Sequence, residues 1–137
     1  MNTITLAKQS LKQHEGYRQF AYQCTAGKTT VAYGRNLQDK GISEAEALYL
    51  LENDIVECLQ DLAALFKCWN TLSEYQQAAL IDLRFNLGAK GFRTFKKCIA
   101  AIEAGDYTEA ALQIMDSAYA NQVGKRADDL ANWLQKA

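Results

Sequence analysis

The chain contains no proline at any of its 137 positions, so nothing in it forces a break in a helical period. Histidine is nearly as scarce. His14 is the single one, and the four cysteines (Cys24, Cys58, Cys68, Cys98) stand at spacings that match no metal motif. A zinc site is therefore not expected, and neither is any other metal or cofactor. No run of about 18 apolar residues is present, which excludes a membrane-spanning helix. The N-terminus lacks the apolar core of a secretory signal, so the chain is expected to be made and held in the cytoplasm. Excess charge is missing too: the formal net charge is −1, with no basic arm or stripe of the kind that binds nucleic acid. Weak attraction to anionic surfaces follows from the same balance. There is no repeat, low-complexity tract or flexible linker, and so no separate binding module is expected.

What is present is enough for a core, since 49% of the residues are hydrophobic. Asn2 to His14 reads as a helix, with Thr3 or Thr5 as its cap and Ile4, Ala7 and Leu11 on one face. Gly16 stops it. Gln19 to Gly34 then reads as a hairpin around Thr25-Ala26-Gly27-Lys28, and Arg35 to Lys40 offers a short third strand. Pairing across that turn brings Cys24 and Thr30 together, near the end of the first helix. Ser43 and Glu46 form a capping box, followed by Leu48, Leu51, Ile55, Leu59, Leu62 and Phe66 at steps of three and four. That period predicts a helix of about 22 residues, roughly 33 Å long. A second capping box, Ser73 with Gln76, opens a helix ending at Gly88. Further helices are expected at about Phe92 to Ala104, Thr108 to Tyr119 and Lys125 to Lys136. Cys58 and Cys98 fall on helical positions where a buried thiol is the ordinary outcome, and four free thiols are expected in a cytoplasmic chain.

Glu15 is the residue with the most chemistry in its position. It closes the first helix, where carbonyls point outward and the dipole is negative. That field disfavours the carboxylate and raises its pKa unless a cation intervenes. A carboxylic acid kept protonated near neutrality is what donates a proton to a leaving oxygen. A solvated glutamate at a helix end is the plain alternative.

The segments His14-Glu15-Gly16, Ala21-Tyr22, Thr25-Ala26-Gly27-Lys28-Thr29-Thr30 and Tyr33-Gly34-Arg35-Asn36-Leu37 stand in fixed order. Phe85-Asn86-Leu87-Gly88, Ala104-Gly105-Asp106-Tyr107 and Asn121-Gln122-Val123-Gly124-Lys125-Arg126-Ala127 continue the series. Together they resemble the phage-type lysozymes, from about Leu11 to Leu134. The resemblance implies an α+β, mainly α-helical fold with two lobes. A small hairpin lobe (about 17–42) would be joined by the long helix to a helical lobe (about 43–137 plus the N-terminal helix), all one catalytic domain. T-even relatives carry extra residues between hairpin and long helix, so the direct Arg35 to Gly41 connection implies a more compact small lobe.

The same resemblance implies a glycoside hydrolase, an inverting N-acetylmuramidase acting as a monomer on bacterial peptidoglycan in a groove between the lobes. Its general acid falls on Glu15, its second active-site residue on Cys24, and its water-positioning threonine on Thr30. Arg126 matches an arginine near the catalytic glutamate, and Asn86 a groove-facing amide. Tyr33 is either a groove wall or hairpin packing. Release would depend on a holin opening the membrane from the cytoplasmic side.

Two departures matter. Cys24 stands where a carboxylate is usual, and Arg35 where many members have histidine. A thiol with a reference pKa of about 8.5 is mostly neutral at pH 7 unless cations lower it, and Lys28 and Arg35 are the candidates. A thiolate would stabilise positive charge or take a proton from water. Otherwise Cys24 is a tolerated small residue, and Glu15 with a Thr30-bound water carries the reaction. If the missing carboxylate is decisive, the alternative is a catalytically weak peptidoglycan-binding protein on the same scaffold.

Overall fold

A computed structural model describes residues 2–137. The chain runs α1 (Thr3–Glu15), β1 (Arg18–Gln23), β2 (Thr29–Ala32), β3 (Arg35–Asn36), α2 (Leu37–Lys40) and α3 (Glu44–Leu65). After a 3-10 turn at Trp69–Thr71 come α4 (Glu74–Arg93), α5 (Lys96–Glu103), α6 (Tyr107–Met115), α7 (Ala118–Val123) and α8 (Lys125–Leu134). This is the expected α+β class: mainly helical, with one three-stranded antiparallel sheet in the order β1-β2-β3. Contacts divide the chain into two compact units, Met1–Tyr49 and Leu50–Ala137, with the boundary inside α3.

In the first unit the cap of α1 is Asn2, not Thr3 or Thr5. Its side-chain oxygen accepts the Thr5 N–H at 2.9 Å, so Thr5 supplies the orphan donor and Thr3 is already helical. Gly16 ends the helix as expected, at φ +70°. β1 and β2 pair with Tyr22 opposite Thr30 and Gln23 opposite Thr29, and the register shifts between Arg18 and Tyr22. The turn into β3 places Ala32 at φ +60° and Gly34 at φ +77°. The expected third strand stops after Asn36. Asn36 accepts the Asp39 N–H at 3.0 Å and turns the chain into α2 instead of prolonging the ladder.

α3 begins and ends where its cap and period place it, at 22 residues. The Glu46 N–H donates to Ser43 Oγ at 3.2 Å, and the Ser43 N–H donates to Glu46 Oε1 at 2.8 Å. Of the apolar residues that repeat along it, Leu62 is buried together with Cys58, whereas Leu48, Leu51, Ile55 and Leu59 are exposed. The core lies in the second unit, around Leu62, Phe66, Trp69, Leu80, Leu83, Phe92, Ile102, Ile114 and Leu134.

There, α4 starts at the expected capping box, and Gln76 also donates to the Leu134 carbonyl at 2.9 Å. Gly88, at φ +78° and ψ 169°, breaks the helical period where expected; a second helical stretch follows at once as far as Arg93, so Phe92 belongs to that stretch and the next helix opens only at Lys96. The helix expected from Thr108 to Tyr119 is two. Ser117 accepts the Ala120 N–H at 3.3 Å and starts a new helix after Met115. α8 ends at Leu134, two residues short of Lys136. Asp61 of α3 ties both sides of the kink. It accepts from Arg84 Nε at 2.7 Å and from Arg93 Nη2 and Nη1 at 2.6 and 3.0 Å.

Candidate active site

Glu15 is the last residue of α1 and is exposed to solvent. Its carboxylate makes no hydrogen bond among the described residues, yet its position is set sterically. A β-carbon added at Gly34 would lie 2.9 Å from Glu15 Oε2 and 3.2 Å from its Cδ, so the carboxyl group rests against the backbone of the β2–β3 turn. Gly34 is required there twice, by that approach and by its positive φ. Gly34→Ala is therefore expected to cost about 1–2 kcal/mol through the left-handed backbone. It should also push the Glu15 carboxyl aside. Thermal unfolding read beside activity checks both, with activity falling further than the lost folded fraction explains.

Cys24 follows β1 and opens the hairpin turn. Its N–H donates to the Lys28 carbonyl at 3.0 Å, and its own carbonyl accepts the Gly27 N–H at 2.8 Å. Thr30 sits in the central strand and is 3% exposed; its hydroxyl donates to the Lys28 carbonyl at 2.9 Å. That bond uses the single hydroxyl proton and leaves the oxygen free to accept from a water. The turn brings Cys24 and Thr30 into one neighbourhood, as pairing across it requires. The Cys24 thiol lies below the usual range because the backbone N–H groups of Lys28 and Ala26 favour its anion, with a smaller push from Thr30. The other cysteines go the opposite way. Burial lifts Cys58, and pushes Cys68 up to about 11 and Cys98 to about 12.

The cations expected to act on Cys24 are engaged elsewhere. Lys28 Nζ lies 3.4 Å from Asp39 Oδ1. Arg35 is held by Glu46 in two-pronged fashion, Nη1 to Oε1 at 2.8 Å and Nη2 to Oε2 at 2.5 Å, and Nη1 also donates to the Gly41 carbonyl at 3.2 Å. The peptide amides of the turn thus do what the side-chain charges were expected to do.

Tyr33 lies in the same turn, its ring centroid 5.6 Å from that of Tyr17 and with Lys12 Nζ 5.9 Å above it. Packing against Tyr17 accounts for one face of Tyr33, and 45% of the residue remains exposed. Tyr17 was not singled out from the sequence; its place two residues beyond Glu15 was the available signal. In the second unit Asn86 is exposed on α4, two residues before the Gly88 kink. The Arg126 guanidinium is paired with Asp82, Nε and Nη2 each 2.7 Å from Oδ1. Among the described residues no group of three or more His, Cys, Asp or Glu side chains is arranged to hold a metal.

The phage lysozyme family model matches residues 12–133, a span that holds Glu15, the hairpin, Asn86 and Arg126. The chain belongs to the phage lysozyme family. It is 33% identical over 120 residues to an endolysin of Acyrthosiphon pisum secondary endosymbiont phage 1, covering 85% of this chain and 80% of that one. It is also 24% identical over 155 residues to a probable T4-type lysozyme 2 of Dictyostelium discoideum, covering 91% of each. Glycoside hydrolysis is the activity that goes with the family. Such a reaction needs a proton donor for the leaving oxygen and a partner for the attacking water. In this phage lysozyme the first unit holds a carboxyl group, a buried hydroxyl and an anion-favouring thiol.

Proposed function

We propose that this protein is an endolysin, a muramidase that hydrolyses the β-1,4 bond between N-acetylmuramic acid and N-acetylglucosamine in peptidoglycan and so lyses the host cell. The observation that carries the proposal is the placement of Glu15 at a helix C-terminus, its carboxyl resting on Gly34, in a chain of this family. Glu15 protonates the glycosidic oxygen. A water donating to Thr30 Oγ attacks the opposite face of the sugar, inverting the anomeric carbon. Asn86 and Tyr33 contact sugar, and Arg126, oriented by Asp82, contributes to substrate binding. The whole chain acts as one catalytic domain, as a monomer and without a cofactor. It reaches the wall from the host cytoplasm through a holin-made opening; among the described residues no helix is long and apolar enough to cross a membrane.

Cys24 takes the place of the hairpin carboxylate by accepting a proton from the Thr30-bound water. The turn amides that favour its anion support this role. Cys24→Ser is expected to slow cleavage about tenfold, less than the 10²–10⁴ typical of a lone general base, because Thr30 still holds the water. An unchanged rate would make Cys24 a packing residue.

The direct test is digestion of purified peptidoglycan, with fragment masses and proton NMR of fresh products. Muramic-acid reducing ends released in the α configuration support the reading, and β ends would remove inversion. The missing carboxylate favours a second reading, a peptidoglycan-binding protein of little activity. Tight sedimentation with insoluble walls and no new reducing ends would select it.

A further inference from the structure

Gly34, on which the Glu15 carboxyl rests, is followed directly by Arg35, and Arg35 is among the most tightly fixed side chains of the first unit. Its two terminal nitrogens meet the two oxygens of Glu46 at 2.8 and 2.5 Å, and Nη1 also reaches the Gly41 carbonyl at 3.2 Å. The receiving carboxylate is fixed as well. Glu46 Oε1 accepts the Ser43 N–H at 2.8 Å, so the group that anchors Arg35 is the same one that caps α3.

Along the ladder Arg35 pairs with Val31 and Asn36 with Thr30. The anchored strand therefore touches both parts of the proposed chemistry: Glu15 through Gly34, and Thr30 through its own ladder partner.

We propose that the Arg35–Glu46 pair is a positioning device for Glu15, tying the residue after Gly34 to the first turn of α3 and so fixing the turn against which the catalytic carboxyl rests. The inference builds on the proposed muramidase reading. Its competitor is an ordinary surface ion pair, which contributes little to anything. Three features separate the two. The pair is two-pronged, which selects one orientation of the guanidinium. The Arg35 side chain is only 27% exposed. Both groups have a further backbone partner that holds them when the chain fluctuates. The Arg35 guanidinium and the Ser43 amide also hold the Glu46 carboxyl down at about 2, so the pair is charged throughout the neutral range.

The test uses Glu46→Gln and Arg35→Lys singly and together. Glutamine still caps the helix, and lysine keeps the charge but loses the fork. Glu44→Gln, one turn position away and outside the pair, is the control. With soluble, uncrosslinked glycan strands, each single variant is expected to lower kcat about tenfold while KM stays within about twofold, since misplacing a catalytic group by 1 Å costs up to about a hundredfold. The double variant should be no worse than either single one, and the control should match the wild type. The Gly34 and Glu15 amide resonances should move in Glu46→Gln, read at a temperature where the variant is fully folded.

If Glu15→Gln is inactive but Glu46→Gln and Arg35→Lys turn over at the wild-type rate, the positioning role is overturned and the muramidase reading stands. Activity that falls only in step with the folded fraction overturns it too, leaving the pair purely structural. A wild type without activity, or a fully active Glu15→Gln, removes the muramidase reading and the positioning role with it.

Discussion

Glu15→Gln should lower cleavage of purified peptidoglycan by about a thousandfold, within the range for loss of a general acid. The substitution is nearly isosteric, so the contact with Gly34 survives, and no hydrogen bond among the described residues is lost. At the C-terminus of α1 a neutral amide is tolerated as well as a carboxylate, because a negative charge opposes the dipole there. Stability should therefore stay level or rise by about 0.3–1 kcal/mol. Binding should survive as well, because the amide has the same shape and the proposed sugar contacts lie elsewhere. The expected pattern is a folded protein that sediments with insoluble walls and releases almost no new reducing ends. Glu15→Asp makes the complementary point. It keeps the proton but withdraws the carboxyl by one methylene from the turn that locates it, and it should fall between the other two. Cleavage by Glu15→Gln at a tenth of the wild-type rate or more would mean the proton comes from another group.

What could be read from the sequence divides by the range of the interaction. The two capping boxes, Ser43 with Glu46 and Ser73 with Gln76, close within four residues, and both stand where they were expected. α3 followed from the first of them and from the period behind it. Elements failed where two local signals competed. Asn36 and Ser117 each took the backbone into a cap, shortening a strand in one case and splitting a helix in the other. Gly88 was readable as a break and the period does break there, but the stretch that follows at once, tied with Arg84 to Asp61 of another helix, was not, because that contact is long-range. The candidate site divides in the same way. Glu15 at a helix end and Cys24 with Thr30 across a short turn are local facts. The Arg35 partner is eleven residues away with no period linking the two, and so the sequence could name Arg35 as a candidate cation for Cys24 without placing it. The groups that lower the Cys24 thiol are peptide N–H groups of the turn, which no residue type announces.

Asp61→Ala is the substitution expected to destabilise most. It removes the acceptor of three charged hydrogen bonds at once and leaves Arg84, only 9% exposed, without its anion beside buried Cys58. Breaking such a pair by removing one partner costs more than the pair contributes, because the remaining charge stays desolvated. Here that is about 3 kcal/mol, the lower end for buried pairs. For a chain of this size the unfolding midpoint should drop by about 10 °C. Arg84→Met should be mild by comparison, since Arg93 keeps both of its bonds to Asp61 and an unbranched apolar side chain suits the site. The asymmetry between the two variants is the diagnostic result, because a surface ion pair would give two small and similar losses.

The pH dependence follows from the same site. The Arg93 and Arg84 guanidinium groups hold the Asp61 carboxyl at about 2, below its ordinary value of 3.8. A folded-state pKa below the unfolded one stabilises the protein above the unfolded value and is lost as pH falls through the folded one. Wild-type stability should therefore decline between about pH 4 and pH 2 through Asp61, alongside the part Glu46 contributes over the same interval. In Asp61→Ala that first part is already absent, so its midpoint should fall less steeply with acid and the two curves should converge. Parallel curves would show that Asp61 is equally easy to protonate folded and unfolded, and that the clamp across the Gly88 kink holds by shape rather than by charge.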